Sequence, residues 1–211
     1  MPADVRVIVG IHECFRKEFA SLPLRVKAVP VDDRARADVV GRHVLLMCDL
    51  LAAHDRAQAE VVRPLVAERA PGGDGGAVED AGNALADAVP AVRAQVQAWR
   101  DDANVLNRAT IHTTLIGFER LLLAQLSAEE SQTMPTLADV LSPDDVDALL
   151  AAGLTSLPAD EVPLAVGMFL EDNTAEVGAL VWERLPLPVR EDFDASGRAA
   201  YADYRASLRD S

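Results

Sequence analysis

His54 and Gln58 stand four residues apart, and so do Gln125 and Glu129. Four residues on an α-helix advance about 400°, so each pair shares one face, one turn apart. At this spacing His-x-x-x-Glu would offer an imidazole and a carboxylate to one metal ion, or to two ions about 3.5–4 Å apart. Each pair here is a half of that pattern: the first reads His-x-x-x-Gln and the second Gln-x-x-x-Glu. The surrounding stretches are related as well. LAAHDRAQAEVVRP, Leu51 to Pro64, aligns with LLAQLSAEESQTMP, Leu122 to Pro135, matching Leu51 with Leu122, Ala57 with Ala128 and Pro64 with Pro135. Upstream, His12 stands alone.

Such pairs work only if helices hold them face to face, and the composition favours helices. Half of the 211 residues are apolar but only 4% are aromatic, and Ala, Val and Leu dominate, a mixture that suits close helix packing better than sheets. The formal charge of −14 leaves no basic stripe for phosphates, so nucleic acid is not expected as a partner. Cys14 and Cys48 lack a CxxC neighbour and are expected as buried hydrophobes of a reducing cytosol. The start, MPADVRVIVGIHE, has no basic stretch followed by an apolar one, so no signal peptide is expected. Arg42, His43 and Asp49 interrupt the longest apolar run, and no membrane span is expected. The expected location is cytoplasmic.

Apolar residues recur at helical spacing along the chain. Ile8, Ile11, Phe15, Phe19 and Leu22 form the first row, with His12 on the same face and Pro23 limiting or kinking the helix. A second helix runs to about Ala59, its inner row passing through His43, Met47, Leu50, His54 and Gln58. PGGDGG, Pro71 to Gly76, reads as the linker between two related halves. A third segment carries Leu85, Val89, Val92, Val96 and Trp99; a fourth, about Asn104 to Glu130, carries Thr114, Phe118, Leu121, Leu122, Gln125 and Glu129. The economical architecture is all-α: an antiparallel four-helix bundle over residues 1–140, with a helical extension over 141–211. In that extension SPDDVDALLAAG has Ser142 as N-cap, Pro143 in the first turn and Gly153 as C-cap. PLAVGMFLED, TAEVGALVWER and AAYADYRASLR each read as one short helix packed on the bundle.

IHECFRKEFASLP, LAAHDRAQAEVVRPLVAERAP and LLAQLSAEESQTMPTLADVLSPDDVDALLAAG resemble the bacterial hemerythrin-like (HHE cation-binding) family. VPLAVGMFLEDN and YADYRASLRD resemble the C-terminal extension of its actinobacterial members. The resemblance implies a four-helix bundle around a non-haem di-iron centre. It implies a lone His on helix one, His-x-x-x-Glu on helix two, one or two His on helix three, and a further His-x-x-x-Glu or carboxylate pair on helix four. By that pattern His12, His54 and Glu129 are retained ligand positions, with Glu130 beside the last. Gln58 and Gln125 replace ligands, and helix three has none near Gly82 or Ala86. Neutral amides are weak ligands and two irons need several imidazoles and bridging carboxylates, so a di-iron centre is not expected.

The expected function is a small-molecule pocket in the former metal cavity, acting by metal-independent acid–base chemistry of cyclisation or isomerisation type in a bacterial pathway. This leans toward a cofactor-independent enzyme. His12 or His54 would be the base and Glu129 the acid, since burial without a metal favours a protonated carboxyl. Gln58, Gln125 and Thr114 would line the cavity. A small organic molecule is the expected partner, with a homo-oligomer left open. The alternative keeps one iron or another divalent metal on His12, His54 and Glu129, for oxygen, nitric-oxide or redox chemistry. A third reading is a non-catalytic scaffold or sensor. His43 and His112 match no ligand position and are expected at the surface or in partly buried structural roles; Cys48 has no His partner that would make it a nucleophile.

Overall fold

Ile8, Phe15, Phe19 and Leu22 fall on one helical stripe, and the computed structural model buries all of them along α1 (Arg6–Ala28). The structure describes residues 3–70 and 76–209, and among these the regular elements are all helical. The linker expected at Pro71–Gly76 lies, up to Gly75, outside the described residues. α1 continues past Pro23 to Ala28. Asp33 starts α2 (Arg34–Ala57) by accepting the Arg36 amide at 2.9 Å, and Asn104 starts α5 (Val105–Ala128) by accepting the Asn107 amide at 2.9 Å. Between them runs α4 (Gly76–Asp101).

These four helices are the longest. α1 packs against α2 and α5, and α4 packs against the same two, so the contacts close into a ring. Phe19, Met47, Trp99, Phe118 and Leu122 are fully buried in the core the ring encloses. Among the described residues, no helix is long and apolar enough to cross a membrane.

Both repeat copies carry the same defect. After Ala57 the helix widens into a π turn at Gln58–Val62, and after Ala128 it widens again at Glu129–Thr133. The amide of Arg63 reaches back to the Gln58 carbonyl, and that of Met134 to the Glu129 carbonyl. The chain then continues as α3 (Arg63–Arg69) and α6 (Met134–Val140). Sequence spacing placed helix ends near Ala59 and Glu130, but the helical path goes on. Pro64 and Pro135 fall in the first turn of the resumed helices, where a missing N–H costs nothing. The residues at which the helices widen, Gln58 and Glu129, are the second members of the two polar pairs.

The rest of the chain is α7 (Pro143–Thr155), α8 (Val162–Asp172), α9 (Ala175–Arg184), α10 (Leu187–Asp192) and α11 (Arg198–Arg209). Ser142 and Asp145 make a reciprocal capping box at the start of α7. Gly153 does not end that helix: the chain stays helical to Thr155, and Ser156 closes it with its own amide. α10, and a third π turn at Phe193–Gly197, carry no clear sequence signal because Pro186 and Pro188 mask the helical period. The extension shares its core with the first helices. Leu137, Val146, Leu149, Val166 and Phe193 cluster with Val7 and Ile8 of α1 and with Ala57 and Val62.

Candidate functional site

His12 on α1, His54 on α2 and Glu129 at the end of α5 converge, with one ligand-type atom from each lying within 4.8 Å of the others. The helix positions deliver them: His12 follows the buried Ile8 by one turn, and His54 follows the buried Leu51 by three residues. Glu129 opens the π turn. All three are buried, His12 completely. Glu129 Oε2 lies 3.2 Å from His12 Nε2 and 3.8 Å from His54 Nε2. The two imidazoles meet edge to face with centroids 5.5 Å apart, and Phe15 packs on His54 in the same manner.

Neighbouring groups fix this geometry. His12 Nδ1 lies 2.9 Å from Glu130 Oε1, and Arg16 Nη2 donates to Glu130 Oε2 at 2.7 Å. A carboxylate can only accept, so His12 carries a proton on Nδ1 and its Nε2 is turned toward Glu129. Gln125 donates its amide N–H to Glu129 Oε1, leaving Oε2 for the centre. Gln58 Nε2 is 3.5 Å from His54 Nε2, at the limit of a hydrogen bond.

Among the described residues, neither His12 Nε2 nor Glu129 Oε2 finds a directed hydrogen bond, although the two are within ion-pair distance. Gln125 Oε1 is also buried without a partner. With Nδ1–H given to Glu130, His12 Nε2 and Glu129 Oε2 are two acceptors facing each other. A cation between them removes that conflict, either a proton on Nε2 or a metal ion.

The residues fit a metal ion on distance as well. Bonds of about 2.1 Å at angles of about 90–110° separate neighbouring donor atoms by about 3.0–3.4 Å. From Glu129 Oε2, the separation of 3.2 Å lies in that range and the one of 3.8 Å lies beyond it, with all three ligand atoms within 4.8 Å of one another. Burial alone would raise the Glu129 carboxyl, but the adjacent His12 and His54 imidazoles outweigh it and hold Glu129 below the usual carboxylate range. Glu129 is therefore an acceptor, where burial alone predicted a protonated acid.

The expected lining residues separate. Gln125 belongs to the site, and Gln58 lies at its edge. A Cβ built on Gly82 would meet the Gln125 amide at 3.5 Å, so this third-helix position faces the centre without contributing to it. Thr114 does not belong. It precedes Gln125 on α5 by about 16 Å of helix rise and donates instead to Gln95 Oε1.

Other polar residues are placed in ways the sequence left open. His43, expected at the surface or partly buried, is completely buried in a structural role, with Nε2 3.1 Å from Glu18 Oε2 and Nδ1 2.5 Å from the Tyr204 hydroxyl. Arg205 Nη1 donates to Glu18 Oε1 at 2.7 Å, so this network pins α11 to α1 and α2. Glu18 had a readable signal: it stands seven residues after Ile11 on the apolar face of α1. Cys14 and Cys48 are buried free thiols. Burial pushes the Cys48 thiol up to about 11 and Cys14 well above its ordinary range, which leaves both poor nucleophiles.

No protein-family model, curated protein or solved structure matches this chain.

Proposed function

We propose that the chain is a hemerythrin-like four-helix bundle whose surviving site holds one divalent metal ion rather than a di-iron pair. The reading rests on the opposed, unpartnered His12 Nε2 and Glu129 Oε2, with His54 Nε2 nearby. His12, His54 and Glu129 would hold the ion. Glu130 would keep His12 in the ligand tautomer, and Gln125 would orient the Glu129 carboxylate. A bound ion would supply Lewis acidity and, as iron, one-electron redox chemistry. The closed contacts among α1, α2, α4 and α5 and the paired π turns support the bundle and its internal repeat. The amides at 58 and 125 and the bare Gly82 argue against a second ion.

Titration of chelator-treated protein with Co(II), Mn(II), Fe(II) and Zn(II) tests this reading. The expected result is about one equivalent bound, with binding abolished in His54→Ala and Glu129→Gln. No saturable binding, or binding that both variants preserve, sinks it.

A second reading uses the same residues without a metal, as acid–base catalysts on a small organic molecule. It is favoured by the place of His54 on the wall of an apolar cavity. In this reading Glu129 is the base, and a histidine in contact with it carries the proton.

A further inference from the structure

The cavity beside His54 does not lie inside the ring of long helices. It opens where α1 and α2 meet α7, α8 and α9, and has a volume of about 110 Å³. Phe15 and Ala57 form part of one wall, and Leu150 and Phe169 of the extension form part of the other. His54 and Cys14 are the lining side chains with a polar atom; the rest are hydrocarbon or glycine. Cys14 adds only a buried, weakly polar sulfur. Gln58, Gln125, His12 and Glu129 are absent from the wall, so His54 is the one residue that the cavity and the polar centre share.

An ordered water needs two to four polar partners, which these walls do not offer. Enclosed apolar cavities take apolar guests, one of about 150 Å³ accepting benzene or xenon, and this pocket, although half open to solvent, has the same apolar lining. The cavity here is somewhat smaller, which sets a guest of roughly four to six non-hydrogen atoms. A carboxylate, phosphate or ammonium would lose its hydration with nothing to replace it.

We propose that this cavity is a binding site for a small uncharged apolar molecule, a short hydrocarbon or benzene-sized ring, held against His54 by the C-terminal extension. The extension is then more than a cover, since α7, α8 and α9 supply the wall that selects size and polarity. The proposal rests on the reading of His12, His54 and Glu129 as the functional centre for what the guest meets there. Its binding alone does not.

Xenon and benzene are the probes, used on the full chain with and without Co(II). Saturable uptake is expected, with the imidazole resonances of His54 shifting and those of His112 and His43 remaining in place. Gly153 on α7 and Ala165 on α8 both line the cavity. Gly153→Leu combined with Ala165→Leu should lower uptake about tenfold or more, and leave Co(II) stoichiometry unchanged. A Cβ on Gly153 would sit 3.9 Å from that of Ala57, an ordinary contact, so Gly153→Ala keeps the fold and provides a milder test. It should weaken uptake by roughly three- to fivefold, the effect of about one methyl group. The proposal is overturned by an absence of saturable uptake, by uptake that ignores both variants, or by static His54 signals. Xenon uptake without Co(II) binding removes the metal reading and keeps the cavity; Co(II) binding without uptake does the reverse.

Discussion

His12 and Glu130 are 118 residues apart in the chain, yet Nδ1 of one lies 2.9 Å from Oε1 of the other. This contact decides which face of the His12 ring is available to the centre. The other oxygen of Glu130 accepts from Arg16 at 2.7 Å. An outer carboxylate that fixes a histidine tautomer commonly accompanies metal ligation, and its loss lowers metal affinity by about 10–100-fold.

Glu130→Gln should therefore weaken Co(II) binding by about 10–100-fold while the fold persists. Competition against a chelator of known affinity gives the number, and circular dichroism checks helix content. Unchanged affinity would remove the outer role of Glu130.

Gln58→Glu should restore a carboxylate beside His54, where the amide nitrogen now stands 3.5 Å from Nε2. Added ligand charge should tighten divalent-metal binding by about tenfold. Without metal, the same change brings a second negative group toward Glu129 and should lower the melting temperature. Opposite shifts in metal-free and metal-loaded protein are the signature to measure.

Acid should weaken the attachment of α11. Burial lowers His43 so that it stays neutral, with the Glu18 bond only partly opposing this. Burial would raise Glu18, but the adjacent His43 and the charge of Arg205 bring its carboxyl below the ordinary value. Each shift means that the folded state binds fewer protons than the unfolded one, so stability is lost as pH is lowered. The His43 contribution is present above about pH 6.5 and fades below it; the Glu18 contribution fades below about pH 4.3. Glu18→Gln should flatten the lower part of a urea-unfolding profile. Glu18→Ala, which leaves Arg205 and His43 without their acceptor, should cost about 3–5 kcal/mol. A profile identical to that of the unsubstituted protein would count against this network.

Glu161 should behave in the opposite sense. Burial, with Asp49 and Asp160 nearby, pushes its carboxyl up to about 7, against the smaller pull of Arg93. A raised carboxyl holds its proton longer when folded, so its contribution is lost as pH rises from about 4.3 through about 7. Glu161→Gln should melt higher than the unsubstituted protein at pH 8 and almost equally at pH 5. Equal shifts at both pH values would assign the effect to packing instead.

Helix content, the buried rows and the polar residues worth following were legible in the chain because helical periodicity is local. His12, His54 and Glu129 could be named because i,i+4 spacing fixes a face, and the repeat marks which face matters. Thr114 was misplaced for the converse reason: a shared helical face says nothing about depth along the helix, and the rise of α5 carries Thr114 away from Gln125. The helix ends expected near Ala59 and Glu130 were misjudged because a π turn is a tertiary adjustment with no strong propensity of its own.

By itself, the sequence determined an all-helical chain, an internal repeat and a short set of imidazole and carboxylate candidates. These follow from spacing within single helices. Only the tertiary structure decided that His12 Nε2 faces Glu129 Oε2, that Glu129 is held ionised and that Glu130 orients His12. It also placed the open space beside the centre, behind His54 and under the extension. The physical reason is distance: tautomer, ionisation and cavity depend on atoms a few ångströms apart in space that are supplied by helices far apart in the chain.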